Sequence, residues 1–92
     1  MVYTVRISNQ FKKDFRRCIK RGLNMKLITD AMDLLAATGT LPMKYRPHKL
    51  VGQKQETWEC HIEPDWLLIY KIENRLLILK LIRTGTHSDL FK

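Results

Sequence analysis

Three histidines, His48, His61 and His87, fall in the second half of this 92-residue chain, with Asp65 and Arg83 between them. The histidine spacings, 13 and 26 residues, match no compact metal-binding motif, so neither a metal nor a cofactor is expected. Imidazoles offer proton transfer instead, because their unperturbed pKa lies at about 6.5. Cutting RNA without a metal needs a base for the ribose 2′-OH and an acid for the leaving 5′-oxygen. It also needs a cation for the charge that builds up on phosphorus. Histidine suits both proton transfers. Arg83 suits the third task, since its planar fork matches two phosphate oxygens. Asp65 suits the orientation of a histidine, holding its tautomer and favouring its cation. Each residue also has a plainer role: a surface or core histidine, a turn aspartate, an ion pair at a strand end.

Composition points to the same class of partner. Seventeen Lys and Arg against nine Asp and Glu give a formal charge of +8, a balance that favours nucleic acid or an acidic protein inhibitor. Lys44, Arg46, Lys49 and Lys54 flank His48 and are candidate RNA contacts. Trp66 and Phe91 are candidates for stacking on bases, although Trp66 lies on an apolar stretch where core packing competes. Lys12, Lys13, Arg16, Arg17, Lys20 and Arg21 crowd one segment against a single acid, Asp14; they read equally as phosphate contacts or as a solvated face. Cys18 and Cys60, the only cysteines, make neither a disulfide scaffold nor a metal pair, and a reducing cytoplasm is expected. No stretch approaches the roughly 18–20 apolar residues of a membrane span, and residues 1–7 do not resemble a signal peptide.

The elements that must position these residues follow from periodicity. Tyr3, Val5 and Ile7 alternate with Thr4 and Arg6, which predicts a strand. Ser8 then caps a helix whose stripe is Phe11, Phe15, Cys18 and Ile19, ended by Gly22. Asn24 caps a second helix, with Ile28, Ala31, Met32 and Leu35 inward; residues 38–40 stop it and Pro42 prevents continuation. Residues 42–55 read as an irregular basic loop. Three strands follow. Trp58, Cys60 and Ile62 alternate with Glu59 and His61, so Cys60 and His61 face opposite ways and a Cys–His nucleophile pair is not expected. Residues 66–72 are apolar on both faces, as in a central strand. Residues 76–83 form the last strand, and the tail 84–92 ends on Leu90 and Phe91 as apolar anchors. The expected fold is α+β, a single domain over 1–92 in the order β-α-α-β-β-β. A two-helix hairpin covers one side of a mostly antiparallel four-stranded sheet. A meander of this kind brings His61, Asp65, Arg83 and His87 to one sheet face.

Three stretches also resemble a known family. His61-Ile62-Glu63-Pro64-Asp65-Trp66-Leu67-Leu68-Ile69-Tyr70-Lys71, the ending Arg83-Thr84-Gly85-Thr86-His87-Ser88-Asp89-Leu90-Phe91, and Pro47-His48-Lys49-Leu50 followed by Gly52 are similar to the signatures of YafQ-type toxins, within the RelE/ParE superfamily. The chain departs from the pattern at Glu59, where some members carry Asp. The resemblance covers essentially the whole chain and implies a ribosome-dependent endonuclease. Such an enzyme cuts messenger RNA in the ribosomal A site and is neutralised by a cognate antitoxin. It implies catalytic roles for His48, His61, Asp65 and His87, with Arg83 and Phe91 nearby. His87 is then the expected acid, and His48 or His61 the base. Two alternatives share the fold: a non-catalytic gyrase poison of the ParE type, and a basic RNA-binding module.

Overall fold

The computed structural model describes residues 2–52 and 56–91. The elements run β1 (Thr4–Ile7), α1 (Asn9–Lys20), α2 (Met25–Thr38), β2 (His48–Lys49), β3 (Thr57–Glu63), β4 (Trp66–Glu73), β5 (Ile78–Gly85) and α3 (His87–Leu90). The expected caps are in place. The Ser8 hydroxyl accepts the Phe11 N–H, the Asn24 side chain accepts the Lys26 N–H, and Gly39 closes α2 in the left-handed conformation at φ 76°. A cap of this kind contributes about 1 kcal/mol. Glycine is required at 39 for a second reason: a Cβ there would sit 2.6 Å from the Tyr3 hydroxyl.

The strands form one sheet in the order β1-β5-β4-β3-β2, with β1 parallel to β5 and every other pair antiparallel. β4 is the central strand, as its two-sided apolar sequence requires: Trp66, Leu67, Leu68, Ile69 and Tyr70 are all buried. Phe11 and Cys18 of α1 and Ile28, Ala31 and Leu35 of α2 pack on Cys60, Leu68, Tyr70, Leu79 and Leu81. Both helices therefore cover one face, and the α+β reading holds.

Four expectations need correction. The sheet has five strands rather than four, because His48 and Lys49 pair with Glu59 and Trp58 as a short edge strand. Of the expected loop 42–55, residues 42–52 are consequently less irregular than their composition suggests, with a 3-10 turn at Met43–Tyr45 leading into β2; residues 53–55 lie outside the described residues. The tail is not anchored by Phe91, which is 53% exposed. It is held by α3, whose capping box joins Thr86 and Asp89. The last strand is also displaced, starting at Ile78 and running on to Gly85. Among the described residues no helix is long and apolar enough to cross a membrane.

Candidate active site

Strand register assembles the site. His48 stands opposite Glu59, Glu59 opposite Ile69, and Ile69 opposite Arg83, so one row crosses β2, β3, β4 and β5. The next row carries His61, Leu67 and Gly85. Residues directly opposite share a face, and this face is the one away from the helices. Arg83 reaches it through a β-bulge. Simple alternation from Leu79 and Leu81 would turn Arg83 into the core. Ile82, the extra residue in β5, lets Tyr70 pair with Leu81 while Ile69 pairs with Arg83. A bulge that re-aims a side chain beside a functional site is a common device.

The three imidazoles line up. Ring centroids of His48 and His61 are 6.3 Å apart, those of His61 and His87 6.1 Å, and Phe91 follows His87 at 6.5 Å. Hydrogen-bond partners distinguish the three. His87 Nδ1 meets Asp65 Oδ1 at 2.5 Å, and the same oxygen accepts the His87 backbone N–H at 3.0 Å. An ionised carboxylate only accepts, so Nδ1 carries the proton and Nε2 points elsewhere. These two bonds hold the Asp65 carboxyl below its ordinary pKa, the backbone bond being the larger cause and the side-chain bond the next. His61 Nδ1 lies 3.2 Å from the Pro64 carbonyl and 3.4 Å from Arg46 Nη2. One nitrogen cannot donate to the carbonyl and accept from the guanidinium together. The shorter contact is to Pro64, which leaves Nε2 as the lone-pair nitrogen and, among the described residues, the Arg46 donors unspent. His48 has an acceptor at each nitrogen, the Arg46 carbonyl at Nδ1 (3.1 Å) and Glu59 Oε1 at Nε2 (3.3 Å). It donates to both only as an imidazolium. Arg46 adopts a left-handed backbone at φ 47°, unusual for a non-glycine residue, and this turn presents its carbonyl to His48.

Arg83 is partly engaged already. Its Nε and Nη2 donate to Asp14 at 2.7 and 3.3 Å, and its side chain is 29% exposed. Asp14 is fully buried on α1 and also accepts from Arg17, Gln10 and the Thr84 N–H. Burial by itself pushes the Asp14 pKa up, but the bonds from Arg83, Gln10 and Thr84 prevail and the carboxyl sits below its usual range. Beyond Leu81 the edge of β5 has lost β1 as a neighbour, and α1 supplies the missing acceptor. Arg17 then leans toward Asp89 at 4.0 Å, and Arg21 grips Asp89 at 2.6 and 3.1 Å. Asp89 also takes the Thr86 N–H, so α1 holds α3, and with it His87, in place. Gly85 belongs to this arrangement, because a Cβ there would lie 2.8 Å from Asp89 Oδ2. Sequence reading missed this chain of charges; the one available signal was Asp14, a lone acid on the buried side of a basic helix.

The other candidates divide. Lys44 lies over the Tyr45 ring, and Lys49 pairs with Glu56 and lies over Trp58. Lys54 falls outside the described residues. Trp66 is not a stacking surface: it is 3% exposed and donates its indole N–H to Thr84 Oγ1 at 3.0 Å. Cys60 is buried, and burial pushes its thiol up to about 12, which removes it as a nucleophile.

The chain as a whole is similar to known proteins. Residues 3–92 match the family described as bacterial toxin of type II toxin-antitoxin system, YafQ. The mRNA interferase toxin YafQ of Escherichia coli strain K12 is 40% identical over 88 residues, covering 95% of this chain and 94% of that protein. The YafQ chain in the crystal structure of the E. coli DinJ-YafQ complex superposes with a TM-score of 0.90 at 36% identity, over 98% of this chain and 99% of that one. The archaeal RelE-RelB complex of Pyrococcus horikoshii supplies a TM-score of 0.73 at 18% identity, over 96% of this chain and 98% of that one, and shares the fold.

Proposed function

This chain belongs to the YafQ family of type II toxins, and from that membership we propose that it is an mRNA interferase that acts on translating ribosomes in the cytoplasm and is silenced by a cognate antitoxin. The observation that carries the reading is the row of three histidine rings spaced about one ring-width apart, each with different hydrogen-bond partners. That asymmetry supplies the separate acid and base that RNA cleavage needs.

His61 suits the base, since its contact to Pro64 leaves Nε2 to take the 2′-OH proton. The 2′-oxygen attacks phosphorus, the bond to the 5′-oxygen breaks, and a 2′,3′-cyclic phosphate forms. His87 suits the acid, its ring oriented by the bond from Nδ1 to Asp65, and delivers a proton from Nε2 to the departing 5′-oxygen. His48, with an acceptor at each nitrogen, suits a positioning role beside the phosphate rather than the base. Arg46 has unspent donors next to His61, and Arg83 supplies positive charge from the same row. Phe91 stands beside His87 as a platform for a base.

Primer extension on a translated message after induction tests the whole reading. Cuts in register with the reading frame are expected from wild type and none from His87→Ala. Cuts that persist unchanged in His87→Ala, or DNA damage with intact messages, would overturn it.

A further inference from the structure

A second cross-strand row lies on the same sheet face. Arg6 stands opposite Lys80, and Lys80 opposite Lys71. Their neighbours along the strands, Val5, Leu79 and Ile72, belong to the core or pack against it, so the three cations point away from the helices. Like charges directly opposite each other destabilise a sheet. Among the described residues, none of the three has an ion-pair partner within 4 Å. Glu56 and Glu73 line the same hollow as Lys71 and Lys80, but Glu56 pairs with Lys49 and, among the described residues, neither acid comes within ion-pair distance of the three cations. Two acids at the margin reduce the repulsion among the three cations without removing it. Along β4, Lys71 is two residues from Ile69, which places this row about 7 Å from the row of His48, Glu59 and Arg83.

We propose that Arg6, Lys80 and Lys71 form a track for the backbone phosphates of the RNA strand leading away from the histidines. The track rests on the nuclease reading above and gives its substrate a direction, across the sheet toward β1. A polyanion relieves the repulsion among three cations at once, whereas a single carboxylate neutralises one of them. Continuity with the histidine row favours RNA over an acidic protein.

The test uses the purified full chain and a short 2′-O-methyl RNA, which has no nucleophilic hydroxyl, with affinity measured across a salt series. K71Q/K80Q is expected to lose about three- to tenfold in affinity near 0.1 M salt, with the salt slope falling by about 0.7 for each charge removed. Its thermal midpoint is expected to hold or rise, because a repulsion has gone. K13Q/K26Q, which removes two charges on α1 and α2 outside the sheet, serves as the control for net charge. Equal affinity and slope in wild type and K71Q/K80Q overturn the track, and so does a loss that K13Q/K26Q reproduces. A loss confined to an acidic peptide, with RNA binding intact, overturns it in favour of a protein partner. Wild type that binds RNA through these residues yet leaves translated messages whole upholds the track and sinks the nuclease reading instead.

Discussion

His87 and Asp65 are both more than half exposed, and their contact contributes little to holding the chain together. In the proposed mechanism it orients an imidazole. Asp65→Asn is expected to lower kcat by about a hundredfold, the scale of one positioned proton transfer, with an unchanged thermal midpoint. Kinetics with saturating ribosomes and a melting curve check both halves of the expectation. Because the His87 bonds hold the Asp65 pKa down, the carboxylate stays charged until the pH falls below the ordinary carboxylate range. Loss of cleavage on mild acidification is therefore not expected to come from Asp65. Where residues are concerned, the sequence was legible: histidines, an aspartate in a turn and an arginine at a strand end were named by type. It did not separate His48 from His61. Both have the same kind of partner at Nδ1, a backbone carbonyl; the Glu59 carboxylate at His48 Nε2 distinguishes them, and that pairing is set by strand register rather than by residue type.

α3 has four residues and none of them is fully buried, so packing alone does little to keep it in place. Arg21 anchors it through Asp89, whose pKa is driven far down, first by the Arg21 side chain. Arg21→Ala is expected to leave the melting temperature nearly unchanged while kcat falls several-fold and KM moves little. Arg21→Lys should recover much of the loss. Loss of order in the backbone amides of α3, read by NMR relaxation, would distinguish a loosened helix from a direct effect on RNA. Asp14→Ala should behave differently. It strips a buried acceptor from Arg83, Arg17 and the Thr84 N–H at once. A cost of about 3 kcal/mol is expected, read by denaturant titration. That figure lies near the lower end for a broken buried pair, because both guanidiniums keep some contact with water. Hydrophobic spacing made α1, α2 and the meander readable. The short strand β2 and the helix α3 were not, since a two-residue strand carries no period and α3 forms because α1 offers it a counter-charge.

For the molecule as a whole, acid stability follows from the two aspartates clamped by arginines. Asp14 and Asp89 both have folded pKa values below their unfolded ones. The stability they contribute is present above about pH 4 and is lost as pH falls through the folded values. Unfolding by acid is therefore expected to steepen below pH 4, and Asp14→Asn should flatten that limb in a pH series of melting curves. Charge, hydrophobic period and motif spacing in the amino-acid sequence were sufficient to determine the fold class, the central strand and the helix caps. Only the tertiary structure decided which side chains share a wall. Register and bulges set that outcome, and one extra residue in β5 moves Arg83 from the core side to the histidine side, because strand side chains alternate with period two and a single insertion reverses every assignment beyond it.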